Sequence, residues 1–223
     1  MKKPVTYLGD AFFHVITVFF IIVFIWIVIT PAKYFIAGEF QKVFENKGEM
    51  RAKNKYNELL AKHNITRENY KPSVIIRKKT RELSVYANSI EIASYTIGLG
   101  RVSNGRKVRK DDLRTPEGSY LICKKEFNHK FHMFLQINYP SPEDASRATV
   151  NHIITTNDEI MINQAVQNGN PPPSDTELGG NIGIHGFGSE SNWTIDGSIS
   201  MNNIDLEEIF WNIDEGTEVL IMP

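Results

Sequence analysis

The sequence predicts an α+β fold: a strand-rich domain with inserted helices, preceded by one transmembrane helix. Three observations carry this reading. Short β-favouring runs recur between Ser73 and Ile137, separated by charged or turn residues. Two later segments open with helix-capping residues, at Ser141 and Thr156. Residues 11–32 hold no Asp, Glu, Lys or Arg and are mostly Phe, Ile, Val and Trp.

The span comes first in the chain. Its residues at ~1.5 Å each would make ~33 Å of helix, enough for a hydrocarbon core of ~30 Å. A cleaved signal peptide has a shorter apolar core and a small-x-small exit, and Thr30-Pro31-Ala32 is a poor exit of that kind. The segment therefore reads as an uncleaved single-pass anchor behind a short cytoplasmic N-terminus, residues 1–10. Lys2 and Lys3 before it are balanced by Lys33 and Lys42 after it, so charge alone does not orient it.

Residues 33–72 read as a juxtamembrane stalk. Phe40, Val43, Phe44, Tyr56, Leu59 and Leu60 recur at helical spacing within it, although Gly48 interrupts the pattern. Such a helix stands free as a stalk or folds onto the domain, and its place near the membrane leaves room for a membrane-protein partner. The domain proper, 73–223, opens with Val74-Ile75-Ile76, Leu83-Ser84-Val85-Tyr86 and Ala93-Ser94-Tyr95-Thr96-Ile97, in the manner of a strand meander. Phe131–Ile137 is a further strand. Ser141-Pro142-Glu143-Asp144 starts one helix and Thr156-Asn157-Asp158-Glu159 another, which stops at Gly169. Asp205 caps a last helix over 206–213, and Glu218–Met222 ends the domain as a strand.

Composition excludes several function classes. With 41% hydrophobic and 23% charged residues the chain is globular, and its length of 223 allows one anchored domain or two small ones. A net charge of −1 exerts no general pull on nucleic acid. The basic clusters at 47–55, 77–81 and 101–110 read as solvated faces. The single cysteine, Cys123, permits no internal disulfide. It sits in the apolar run Tyr120-Leu121-Ile122-Cys123 and reads as a buried small hydrophobe rather than a nucleophile.

Two segments carry the chemistry: Asp111–Tyr120, and Gly179–Met201. His185 ends an apolar run and is followed by Gly186; thirteen residues on, Ser198 follows Gly197 in a second tight turn. A glycine before a nucleophile lets backbone N–H groups gather at a developing oxyanion, and a histidine opposite serves as general base. On these residues alone a strand histidine and an ordinary Gly-Ser turn stand ahead of catalysis, because no third member is visible.

The motifs resemble those of the L,D-transpeptidase catalytic-domain (YkuD-type) family. Thr115-Pro116-Glu117-Gly118-Ser119-Tyr120 is similar to that family's Thr-Pro-Glu-Gly-x-Tyr stretch, and His185-Gly186 to its His-Gly. Thr194-Ile195-Asp196-Gly197-Ser198-Ile199 resembles its nucleophile signature, shifted by one residue and with serine in place of cysteine. The resemblance covers about residues 73–223. It implies that His185 is the base, position 198 the nucleophile, and Gly197 part of the oxyanion hole. It further implies that Arg114, Thr115, Glu117, Gly186 and Thr194 lie beside the substrate, with no metal and no cofactor. The implied substrate is the peptidoglycan stem peptide, attacked between diaminopimelate and D-alanine. The implied location is the inner membrane, held through residues 11–32, with the domain facing the periplasm.

The serine leaves three readings open. A thiol of pKa ~8.5 is drawn to thiolate beside an imidazolium, whereas a hydroxyl needs its proton removed during attack by an oriented base. The chain is a Cys-to-Ser form of an L,D-transpeptidase, a catalytically inactive peptidoglycan-binding or scaffold pseudoenzyme, or a working serine enzyme. Asp196, directly before Gly197, would set an anion beside position 198 and disfavour a thiolate.

Overall fold

The structure, a computed structural model, describes residues 46–102, 104–188, 194 and 197–223, with 17–19, 22–26, 39 and 42. It divides into two compact units, Met1–Gly48 and Glu49–Pro223. Most of the expected span at 11–32 lies outside the described residues, as does Asp196. Among the described residues no helix is long and apolar enough to cross a membrane.

The second unit is one sheet with helices laid against it. Its strands are β1 (Pro72–Arg77), β2 (Glu82–Ala87), β3 (Ile90–Thr96), β4 (Gly118–His129), β5 (His132–Ile137), β6 (Gly183–His185), β7 (Ile199–Ser200) and β8 (Glu218–Met222). They lie in the order β3-β2-β1-β8-β4-β5-β6-β7. The first three form the expected meander, joined antiparallel. The sheet does not continue as a meander, because β8 enters between β1 and β4. It runs parallel to β1 and antiparallel to β4. Alternation explains why β8 fits there: Val219 and Ile221 face the core, while Glu218, Leu220 and Met222 face out.

The inner face packs Val74, Ile76, Leu83 and Val85 with Ile122, Leu135, Ile184 and Ile199. A helix over residues 49–62 (α1) closes part of this core. Ala52, Tyr56 and Leu60, four residues apart, are at most 2% exposed, so this part of the stalk segment is folded onto the domain. Its polar side is tied to the last helix, α4 (Asn203–Phe210), through Arg51 to Glu207 at 2.6 Å and through Lys55 to Glu208.

The other helices start where their caps dictate. Ser141 accepts from the Asp144 N–H and the Asp144 carboxylate accepts from the Ser141 N–H, a reciprocal box that opens α2 (Pro142–Val150). Thr155 and Asp158 repeat the arrangement ahead of α3 (Thr156–Gln167), one residue before the expected start. The cap of α4 (Asn203–Phe210) is Asn202, whose side chain accepts from the Ile204 N–H, and not Asp205, which lies in the first turn. Both asparagine and aspartate cap well, so the sequence offered two starts three residues apart. Leu206, Ile209 and Phe210 on this helix reach the core together.

Candidate active site

The two candidate catalytic residues come from neighbouring parallel strands. β6 and β7 pair with Ile184 opposite Ile199 and His185 opposite Ser200. Side chains of paired parallel residues point the same way, so His185 and Ser200 share a face, and Ser198 stands just ahead of β7. His185 is 8% exposed and Ser198 6%. The Gly183 N–H donates to the Ser198 hydroxyl oxygen at 3.3 Å. Ser200, 1% exposed, has no partner for its hydroxyl among the described residues.

A third member is present, and it is main chain. His185 Nδ1 lies 2.7 Å from the Gly186 carbonyl oxygen. A carbonyl only accepts, so Nδ1 carries the proton and Nε2 is the basic nitrogen of the neutral ring. Burial lowers the His185 pKa below its usual range, and His129 and Lys130 push it the same way against the Gly186 carbonyl. The imidazole is thus neutral at neutral pH, the state a general base requires. Phe131, at the β4–β5 turn, stacks on it with ring centres 4.8 Å apart.

Position 197 needs glycine. Its φ is +93°, and a Cβ there would run into the Arg114 carbonyl. Gly100 is held as closely, its own Cβ position blocked by the Leu113 carbonyl. The 98–100 and 113–115 segments are thereby pressed against the turn that carries Ser198, and Gly98 pairs directly with Ser200.

The expected substrate-side residues lie around this turn, but several spend their side chains inside the protein. Thr115 is fully buried and accepts from the Gly100 N–H at 3.0 Å. Thr194 donates its hydroxyl to the Ser198 carbonyl. Arg114 reaches back to the Asn104 carbonyl through Nε at 3.2 Å. Glu117 pairs with Lys78 at 2.7 Å and, with Arg81 and Asn104, lines a recess of about 300 Å³ that neither His185 nor Ser198 borders. Cys123 is half-buried, its thiol pushed up to about 11 mainly by burial, which is the setting of an inert cysteine.

The family model for the L,D-transpeptidase catalytic domain (YkuD) matches residues 71–221, most of the chain. This chain belongs to that family. The match begins just ahead of β1, so α1 lies outside the matched residues. Among solved structures the chain is similar to the helical cell shape determining protein Pgp2 from Campylobacter jejuni, at 21% identity and a TM-score of 0.47, over 69% of this chain and 48% of that one. It is also similar to Bd1075 from Bdellovibrio bacteriovorus, at 18% identity and 0.45, over 70% and 49%. An L,D-transpeptidase from Xylanimonas cellulosilytica shares 12% identity at 0.43, over 70% and 63%. The chain thus spans about half the length of the first two. No curated protein matches it.

The L,D-transpeptidase domain offers Gly183, Gly186 and Gly197 as backbone around one histidine and one hydroxyl. Sequence reasoning named His185 and Ser198 but not the Gly186 carbonyl, the Phe131 ring or the Gly183 donor beside them. Among the described residues no three His, Cys, Asp or Glu side chains gather as metal ligands.

Proposed function

We propose that this domain binds peptidoglycan stem peptides at an L,D-transpeptidase site whose nucleophile position, 198, carries serine, and that binding is kept while acyl transfer is lost. One observation carries this reading. The Ser198 hydroxyl is held by the Gly183 N–H, while the polar contact of His185 goes to the Gly186 carbonyl, and the two side chains make no hydrogen bond to each other. A thiolate would tolerate that separation, because it needs no proton removed at the moment of attack. A hydroxyl does not, and disabling a nucleophile in this way costs up to ~10⁶-fold in rate.

The reaction so lost is acyl transfer at the diaminopimelate–D-alanine amide. In the thiol form the sulfur of position 198 attacks the carbonyl carbon and the C–N bond breaks. D-Alanine then leaves with a proton passed through His185. An amine or water next takes the acyl group and frees the sulfur. The Ser198 and Gly197 backbone N–H groups would face the oxyanion. The uncharged stretch 11–32 supports an anchor in the inner membrane, with the domain outside it beside the wall, and α1 leaves room for a membrane-protein partner.

The test pairs binding with turnover. The full chain should sediment with intact sacculi and release no D-alanine from purified stem peptides by mass spectrometry. Ser198→Cys should release D-alanine and be acylated by a carbapenem. Wild-type turnover within tenfold of Ser198→Cys would sink the proposal in favour of a working serine enzyme. Failure to sediment with sacculi would sink the binding role.

A further inference from the structure

The group that orients His185 is itself oriented, and by a residue outside the motifs. Gly186 C=O and Phe187 N–H belong to one planar peptide, and in a trans peptide they point to opposite sides. On one side the carbonyl meets His185 Nδ1 at 2.7 Å; on the other the Phe187 N–H donates to the Asn203 side-chain oxygen at 2.8 Å. Asn203 is the first residue of α4, whose N-cap and buried face fix it to the domain.

The same asparagine explains the glycine after the histidine. A Cβ on Gly186 would collide with Asn203 Oδ1 and lie too close to the Phe131 carbonyl. Phe131 closes the arrangement from the other side. Its carbonyl accepts from the Gly186 N–H at 2.9 Å while its ring stacks on the imidazole. The two peptides following His185 are therefore each pinned, one by Phe131 and one by Asn203.

We propose that Asn203 is a positioning residue for His185: by holding the 186–187 peptide it aims the Gly186 carbonyl at Nδ1 and so selects the ring tautomer whose Nε2 is basic. The inference rests on His185 being the base of the proposed site. An imidazole orienter matters through the tautomer it enforces, since the wrong one places a hydrogen where the base needs a lone pair. Among the described residues, the titratable and charged groups that act on this ring are His129 and Lys130 at the β4–β5 turn, whereas His132 is turned to Glu207 on α4.

Long-range ¹H–¹⁵N NMR of the full chain, labelled at histidine, reads the tautomer directly. The wild type should show the Nδ1–H form. Asn203→Ala, and Asn203→Ser as a shorter polar replacement, should shift both ring nitrogens toward the averaged values of a mixed tautomer. Asn203→Asp, which keeps the acceptor, should restore the Nδ1–H form. In the Ser198→Cys background, Asn203→Ala should slow carbapenem acylation about tenfold to a hundredfold, the range for lost outer-shell partners, and broaden its pH profile near the imidazole titration. A merely structural role would lower stability and leave the ring nitrogens where they are. The NMR result decides this inference and the acylation result decides the proposed function. A tautomer lost in the Ala or Ser variant supports it whether or not Ser198→Cys is acylated. An Nε2–H form in the wild type, or unchanged ring nitrogens in a folded variant, overturns it.

Discussion

Lys78 and Glu117 form an ion pair at 2.7 Å beneath the Thr115–Gly118 turn, with side chains 1% and 11% exposed. The ammonium also donates to the Gly105 and Thr115 carbonyls, at 2.7 and 3.0 Å. One cation just past the end of β1 thus gathers three acceptors, one of them in the 113–115 segment that presses on Gly197. Removing one partner of a buried pair costs roughly 3–5 kcal/mol, while removing both as apolar residues costs less. Lys78→Met should therefore lower the urea midpoint sharply, and Lys78→Met with Glu117→Leu should lose less than the two single losses summed. Additive losses would show that the pair is not coupled.

Gly197 offers a local test of the turn. Its φ of +93° and its approach to the Arg114 carbonyl leave no room for a side chain. Backbone strain of this kind costs roughly 1–3 kcal/mol before any clash, so Gly197→Ala should lower Tm by about 5 °C or more. An unchanged Tm would mean that the 113–115 segment yields easily.

Cys123 should behave as a protected thiol. Burial raises it to about 11, and its Sγ donates to the Gln136 carbonyl at 3.5 Å. Incubation with iodoacetamide at pH 7.5 should leave the folded chain unmodified by mass and label it fully in urea. Rapid labelling of the folded protein would contradict the burial.

Stability should decline on the acid side. His185 and His129 both have pKa values below the usual 6.5, burial being the main cause for each. The folded chain therefore binds these protons less tightly than the unfolded chain does. Stability from this source is complete above about pH 6.5 and is lost as the pH falls through the range below it, by at most ~1.4 kcal/mol per pH unit for each histidine. Urea unfolding between pH 5 and 7.5 should show that slope, and His185→Gln should flatten it. A slope unmoved by the substitution would place the titration elsewhere.

Local signals were legible wherever local forces decide the outcome. The Ser141-Pro142 start of α2 and the strand Glu218–Met222 could be read directly, because a capping hydroxyl and strict alternation act over a few residues. The strands that build the site showed only as a β-like run ending at His185 and a short strand after Ser198, with no sign of their partners. β6 has three residues and β7 two, and they are strands only because β5 and the 98–100 segment pair with them across the sheet. Glu117 was visible as a motif carboxylate, but its direction is set by Lys78, thirty-nine residues away. The Gly186 carbonyl left no trace at all, since every residue has one. Asn203 was not singled out, because its contact with the 186–187 peptide depends on where α4 brings it.

The place of β8 sets a schedule for the whole molecule. It separates the β3-β2-β1 group from the β4-β5-β6-β7 group, and among the described residues it is the strand that pairs with both, while Gly98, just past β3, bridges to Ser200. Strand pairing between the meander and β4 thus waits until residue 222 has left the ribosome. Until then two unmatched strand borders must be kept from straying, by helpers or by haste. A break that removes only Glu218–Met222 would take away the strand that joins β1 to β4 at the centre of the sheet.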